Sequence, residues 1–201
     1  MNNWLMSLGV FSFSYAIGDI PFAFIIAKMV KGIDIRFAGE GNVGARNVLH
    51  TVGKPYGILV GILDFLKGAV VAYICLYFKF PFPTIVIAGF GVVIGHDFPV
   101  FLKFLGGNGF AAALGFLLVL FPQPVSAALF LMLILFSIRR YFHFAASIGI
   151  GSLPVLWMPL FKNSLREIIF TICFLSFLGI KRIIAQPHMK RIKESSGWDK
   201  G

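Results

Sequence analysis

The stretch FPTIVIAGFGVVIGHDFPVF, residues 82–101, decides the fold class because its first charged side chain is Asp97. An α-helix needs about 20 apolar residues to cross the hydrocarbon core of a bilayer. Similar apolar runs recur along the chain, in which 58% of the residues are hydrophobic and 13% are charged. A soluble domain usually carries about 25% charged residues. The sequence lacks the short alternating segments of a membrane β-barrel. We therefore predict an all-α integral membrane protein.

Seven transmembrane helices are expected from the positions of the apolar runs. The run Phe110–Ile138 is too long for one span, and we divide it at Pro122-Gln123-Pro124 because paired prolines end helices. A polar, basic tail of residues 181–201 follows the last span. The predicted spans are Trp4–Ile26, Tyr56–Phe78, Phe82–Phe101, the two halves of Phe110–Ile138, Phe144–Leu160 and Leu165–Ile180.

The positions of the basic residues orient these spans. With the N-terminus outside, the cytoplasmic segments, which include Arg139-Arg140 and the tail, hold 14 of the 18 Lys and Arg residues. Such an excess is typical of cytoplasmic loops, so the C-terminus is predicted to be cytoplasmic. Basic loops that face anionic lipid also explain the net charge of +10, and we expect no nucleic-acid partner. The whole chain, residues 1–201, is expected to form one transmembrane domain.

Two glycine-rich segments fall on the predicted cytoplasmic side. The first glycine loop, residues 39–47, reads GEGNVGARN, and the second glycine loop, residues 106–109, reads GGNG. Glycines let backbone N–H groups converge on an anion, and Arg46 adds a bidentate phosphate partner. Composition alone leaves a phosphate cradle and a flexible turn equally open. The spacing matches neither a Walker loop nor a dinucleotide-binding motif.

Buried polar residues are the second indication of a site. His96, at the end of a span, could orient a substrate or move a proton. The alternative is that it hydrogen-bonds a backbone carbonyl and fixes a re-entrant loop. Asp64 and Lys67 lie three residues apart on one helix face and are expected to form a structural ion pair. Both glycine loops and His96 fall on the same predicted side, so we expect them to meet around one pocket. No metal site is expected.

Three segments carry a family resemblance. They are GDIPFAFIIAKMVKGIDIRFAGEGNVGARN from Gly18, LDFLKG from Leu63 and GHDFPVFLKFLGGNGFAAALG from Gly95. Together they resemble the bacterial acyl-phosphate:glycerol-3-phosphate acyltransferases of the PlsY type. The resemblance implies a multi-pass, seven-span enzyme of the bacterial plasma (inner) membrane. It implies transfer of a fatty acyl group from acyl-phosphate to glycerol 3-phosphate, giving lysophosphatidic acid for phospholipid synthesis, without a cofactor.

The resemblance also implies roles for individual residues. His96 and Asn47 are expected to be catalytic. The expected substrate- and phosphate-binding residues are Gly41, Asn42, Gly44, Arg46, His50, Gly106, Gly107, Asn108, Gly109 and Ser147.

Several positions depart from the family pattern. The first family motif reads roughly GSGNxGATNxxR, and Glu40, Arg46 and His50 stand here at its serine, threonine and last arginine. Asn108 replaces the lysine of the family's GGKG, and the RHRENI-like stretch of the family tail is missing, with His188 close by. The changes remove positive charge from a site for anionic substrates. The alternative is therefore a catalytically weak or inactive paralogue that binds lipid precursors or a partner protein.

Overall fold

The computed structural model describes residues 3–198, apart from the side chains of residues 3, 139, 142 and 143. Residues 199–201 of the predicted tail and the side chain of Arg139 lie outside this part. The described chain is helical, without strands. Its α-helices are α1 (Asn3–Asp19), α2 (Phe22–Lys31), α3 (Ala45–Thr51), α4 (Lys54–Tyr77), α5 (Phe82–Asp97), α6 (Phe110–Leu120), α7 (Pro122–Arg139), α8 (Phe142–Gly151), α9 (Met158–Leu160) and α10 (Leu165–Ser196).

Apolar helices occupy all seven predicted positions. Four helical segments in the described part are long and apolar enough to cross a membrane: Trp4–Lys31, Lys54–Tyr77, Phe82–Leu102 and Leu165–Ser196. Three shorter apolar segments are Phe110–Leu120, Pro122–Ile138 and Phe144–Leu160. The number of crossings and the orientation of the chain stay predictions.

The first and last helical segments differ from the predicted spans. The first is interrupted between α1 and α2 at Ile20-Pro21, because proline has no N–H to continue the hydrogen-bond ladder. The last does not end at Ile180, since α10 continues through most of the basic tail to Ser196. The polar tail is therefore largely helical rather than extended.

The described residues form two compact units. The first comprises the chain up to Phe116 together with residues from Leu178 onward, and the second comprises Leu117–Phe177. In the second unit α7 packs on α8, where a Cβ at Gly149 would lie 2.8 Å from the Cα of Met132. Both glycine loops, His96 and the C-terminal half of α10 belong to the first unit.

Small residues allow the helices of the first unit to pack closely. A Cβ at Gly18 of α1 would collide with the carbonyl oxygen of Val92 in α5. A Cβ at Gly68 of α4 would collide with the carbonyl oxygen of Ala112 in α6. Glycine at such positions lets two helix backbones approach, which is how membrane helices gain dispersion energy when lipid is as apolar as the side chains. The contact at Gly18 places the C-terminal ends of α1 and α5 beside each other.

A small apolar core lies beneath the first glycine loop. Its fully buried members come from α2, from the loop and from α3 and α4, and Leu102 closes it. The core residues are Ala23, Ala27, Ile35, Val43, Val48, Val52, Val60 and Leu102. A loop anchored to such a core is held in one conformation, as a binding loop requires.

Candidate active site

Asn47 holds the first glycine loop in shape. Its side chain is fully buried at the start of α3. Gly39 and Gly41 have φ angles of 61° and 69°, in a region that favours glycine. The Asn47 amide group donates to the carbonyl oxygens of Ile35 (3.1 Å), Ala38 (2.9 Å) and Asn42 (2.9 Å), and its oxygen accepts from the backbone N–H of Glu40 (3.0 Å).

Glu40 and Arg46 form an ion pair within this loop. Arg46 Nη1 lies 3.1 Å from Glu40 Oε2, and the side chains are 41% and 2% exposed respectively. A buried carboxylate needs such a partner, because an unpaired charge out of water is costly. The two residues that replace the family's serine and threonine therefore neutralise each other. The Arg46 side chain remains partly exposed.

The second glycine loop closes against the first one. Asn108 Nδ2 donates to Asn42 Oδ1 at 3.0 Å, although the two residues are 66 positions apart. The Gly107 N–H donates to the carbonyl oxygen of His96 at 3.1 Å. A Cβ on Gly107 would collide with His96 Nε2 and lie 2.7 Å from the carbonyl oxygen of Val43. The structure thus brings both glycine loops and His96 together, as the topology predicts.

His96 faces a buried ion pair. Lys67 Nζ lies 3.0 Å from Asp64 Oδ1, and His96 Nδ1 lies 3.6 Å from the same oxygen. All three side chains are at most 8% exposed. The Lys67 ammonium also donates to the carbonyl oxygens of Gly18 (3.2 Å) and Ile20, which the break between α1 and α2 leaves outside a helical ladder. The carboxylate thus lies on the Nδ1 side of the imidazole, and Nε2 faces the second glycine loop.

A small polar cavity adjoins this group. Its volume is about 10 Å³, which is about the space for one water molecule. The residues around it come from the α1–α2 break, from the first glycine loop and from α4 and α5. They are Gly18, Asp19, Ile20, Pro21, Phe22, Ala23, Val43, Asp64, Lys67, His96 and Pro99.

The C-terminal half of α10 covers the first glycine loop, which sequence reasoning missed. Ser196 Oγ donates to the carbonyl oxygen of Gly39 at 2.7 Å, and a Cβ at Gly41 would lie 2.9 Å from Ile192 Cβ. His188 Nε2 donates to the carbonyl oxygen of Arg36 at 3.1 Å. The sequence did carry a signal for this contact, because positions 188, 192 and 196 are four residues apart and share one face of a helix.

The segment under His188 is itself fixed by an ion pair. Arg36 Nη2 lies 2.6 Å from Asp34 Oδ2, and the guanidinium also donates to the carbonyl oxygen of Leu102 at 3.0 Å. The hydrogen bond from Arg36 lowers the pKa of the Asp34 carboxyl below its ordinary value. The pair therefore stays charged at neutral pH and attaches this segment to the turn that follows α5.

Two expected binding residues are not part of this cluster as described. His50 is exposed, and its ring packs edge-on against Trp198 with 5.2 Å between ring centroids. Ser147 belongs to the second unit, where its side chain is exposed. Among residues 3–198, no group of three or more His, Cys, Asp or Glu side chains has the arrangement of a metal site. The first unit gathers backbone amides, His96 and three asparagines, Asn42, Asn47 and Asn108.

Buried charges at the ends of long apolar helices, beside two glycine loops, define a polar site in an integral membrane protein. The family model described as Glycerol-3-phosphate acyltransferase matches residues 8–195. Among curated relatives, the glycerol-3-phosphate acyltransferase of Desulforamulus reducens is 37% identical over 164 residues, 82% of each chain. That of Wolbachia pipientis is 39% identical over 177 residues, which is 86% of this chain and 90% of the relative.

Solved structures show the same relationship. The crystal structure of PlsY (YgiH), an integral membrane glycerol 3-phosphate acyltransferase, in its glycerol 3-phosphate form superposes with a TM-score of 0.80. The sequences are 32% identical, and the match covers 95% of this chain and 94% of that one. The lysophosphatidic acid form gives a TM-score of 0.78 at 31% identity, with 95% of this chain and 93% of that one covered.

The chain belongs to the glycerol-3-phosphate acyltransferase family. It is a membrane acyltransferase and a multi-pass protein of the bacterial inner membrane. The resemblance, the all-α membrane fold and the location expected from sequence are confirmed. The comparisons do not favour the alternative of an inactive paralogue.

Proposed function

We propose that this chain transfers a fatty acyl group from acyl-phosphate to the 1-hydroxyl of glycerol 3-phosphate. The bond between the acyl carbon and the phosphate oxygen breaks, and a bond from that carbon to the glycerol oxygen forms. Inorganic phosphate leaves with the hydroxyl proton, and the product is lysophosphatidic acid. Relatives bear the name glycerol-3-phosphate acyltransferase, and a solved relative is described in glycerol 3-phosphate and lysophosphatidic acid forms. The choice of acyl-phosphate as donor rests on the sequence motifs.

The observation that supports this proposal best is the closure of the two glycine loops over His96. The Asn108–Asn42 hydrogen bond joins the loops, and Gly107 lies against the imidazole. Catalysis in such a site is mostly positioning, because the acyl-phosphate is already activated and needs no covalent intermediate. Backbone N–H groups of the two loops bind phosphate oxygens. The proposed binding set comprises Gly41, Asn42, Gly44, Arg46, Gly106, Gly107, Asn108 and Gly109.

His96 and Asn47 have different proposed roles. The His96 imidazole orients the attacking hydroxyl or passes its proton, and Asp64 holds the ring from the Nδ1 side. Asn47 acts through the loop, because its amide already bonds the backbone around it. We therefore assign Asn47 as a positioning residue, and the phosphate of the substrate is the final proton acceptor.

The test is an assay of the purified chain in lipid or detergent with acyl-phosphate and glycerol 3-phosphate. We expect lysophosphatidic acid as the product. We expect no product when acyl-coenzyme A or acylated acyl carrier protein replaces acyl-phosphate as the donor. The Aquifex aeolicus relative, 44% identical over 138 residues, serves as the positive control. If that relative turns over and the native chain does not, the inactive paralogue is correct. Product from another donor contradicts acyl-phosphate as the substrate.

His96→Ala is expected to lower kcat by about a hundredfold to ten-thousandfold, the usual contribution of a positioned acid–base group. His96→Asn is the matched variant, because it retains a hydrogen-bonding group of smaller size beside Asp64. We expect intermediate activity from this variant if orientation is the main role. A value of kcat within threefold of the native chain for His96→Ala would exclude both roles. Steady-state kinetics with both substrates saturating measures this.

Arg46→Ala is expected to raise the KM for glycerol 3-phosphate about ten- to a hundredfold, which is the cost of a charged hydrogen bond to phosphate. The variant also leaves the buried Glu40 carboxylate without its Arg46 partner. The double variant Glu40→Ser/Arg46→Ala removes that carboxylate as well and is the control. If Arg46 binds phosphate, the double variant keeps the raised KM. If the double variant returns to the native KM, Arg46 serves only to neutralise Glu40.

A further inference from the structure

Two buried charges at the site lie at positions that the family motifs leave undefined. Asp97 occupies the variable position of the GHxFP pattern and is 0% exposed, and Lys181 of α10 is 8% exposed. Within the described part of the chain, neither carboxylate oxygen of Asp97 has a hydrogen-bond partner. Among residues 3–198, the Lys181 ammonium makes no hydrogen bond and no ion pair within 4.0 Å. Burying two charges in this way is costly without further partners.

Asp97 lies against the second glycine loop, and Lys181 lies beside Phe98, the next residue of the chain. Asp97 Oδ1 lies 3.0 Å from where a Cβ on Gly109 would be, so the carboxylate rests against the turn. Lys181 Nζ lies 4.8 Å from the centroid of the Phe98 ring. Leu178, three residues before Lys181 on α10, has its Cδ2 atom 2.8 Å from where a Cβ on Gly109 would be. The helix turn that carries Lys181 therefore packs beside the second glycine loop.

The second glycine loop, Gly106-Gly107-Asn108-Gly109, carries no positively charged side chain. Backbone amides can bind a phosphate, but a dianion in a partly dry site also needs a cation. Lys181 offers three N–H donors, and its ammonium group lies over the Phe98 ring. Before substrate binds, the Asp97 carboxylate compensates the positive charge of Lys181. It does so without accepting a hydrogen bond from the ammonium, whose N–H donors stay available for a phosphate.

We propose that Lys181 is the phosphate-binding cation of the second glycine loop, in place of a lysine at position 108, and that Asp97 is its positioning residue. The inference rests on the proposed function. Its ligand is a phosphate oxygen, which belongs either to glycerol 3-phosphate or to acyl-phosphate. A charged contact of this kind changes affinity about ten- to a hundredfold.

The experiment compares Lys181→Met with Lys190→Met, which removes an exposed lysine from the same helix. We expect Lys181→Met to raise the KM for one substrate ten- to a hundredfold with less change in kcat. The substrate whose KM rises identifies the phosphate that is bound. Lys190→Met should have no effect. Adding Asn108→Lys to Lys181→Met should restore the KM, which a merely structural defect would not allow. An unchanged KM for both substrates, or a raised KM without rescue, overturns the proposal.

Two further measurements cover a Lys181 variant that does not fold and a native chain that forms no product. If Lys181→Met does not fold, Lys181→Gln keeps a polar group and takes its place in every comparison. If the native chain forms no product, the proposed function fails, and binding of inorganic phosphate by calorimetry then decides the inference. Binding that weakens at least tenfold in the Lys181 variant and not in Lys190→Met supports it. Equal binding by the native and Lys181 variant chains, or none by the native chain, overturns it.

Discussion

Replacing Gly107 with alanine is expected to reduce acyl transfer to about 1% of the native rate. The added methyl group would collide with His96 Nε2 and lie 2.7 Å from the carbonyl oxygen of Val43. Relief requires the imidazole or the loop to shift, and a displacement of about 1 Å at a reacting group costs on the order of a hundredfold. The effect is expected in kcat/KM, because both the position of His96 and the closure of the loops change.

Gly179→Ala is the matched control, since no atom of a neighbouring element lies within 4 Å of the added Cβ on the exposed face of α10. Alanine there is expected to leave activity unchanged and to stabilise the helix slightly. Thermal unfolding of both variants separates a local displacement from a general loss of structure. Native kcat/KM in a folded Gly107→Ala variant would show that the contact between His96 and the second glycine loop has no part in the reaction.

Local sequence patterns were enough to predict the helical segments and the elements of the site. Apolar runs, the prolines at Pro122–Pro124 and the glycine clusters are all short-range signals, and the structure has helices and loops at those positions. Topology then predicted that both glycine loops and His96 share one side. The Asn108–Asn42 hydrogen bond agrees with that arrangement, although its two residues are 66 positions apart.

Tertiary partners were less predictable. The Glu40–Arg46 pair depends on a loop backbone with two positive φ angles, and a helical periodicity argument cannot supply that geometry. Charge counting therefore treated Arg46 as a free cation. The contacts of α10 with the first glycine loop join residues more than 150 positions apart. Because the basic residues near the chain end were taken as a polar tail, the helix face that carries these contacts was not considered.

Asp64→Asn is expected to destabilise the protein by about 3–5 kcal/mol, the usual result when one partner of a buried ion pair is removed. The Lys67 ammonium would keep its bonds to the carbonyl oxygens of Gly18 and Ile20 but lose its counter-charge in a site 3% exposed. His96 would also lose the carboxylate on its Nδ1 side, 3.6 Å away. Activity should therefore fall together with stability. Reversible denaturation in mixed micelles measures the free energy of unfolding.

The double variant Asp64→Asn/Lys67→Met separates the two effects. Removing both charges eliminates the uncompensated ammonium, so this variant is expected to be more stable than Asp64→Asn alone, as replacement of whole buried ion pairs often is. Its activity should stay low, because the carboxylate beside His96 is gone and the carbonyl oxygens of Gly18 and Ile20 lose their hydrogen bonds from Lys67. A double variant as unstable as the sum of its single variants would mean that the two charges contribute independently. In that case, hydrogen bonding at the helix break rather than charge compensation would explain why Asp64 and Lys67 are buried side by side.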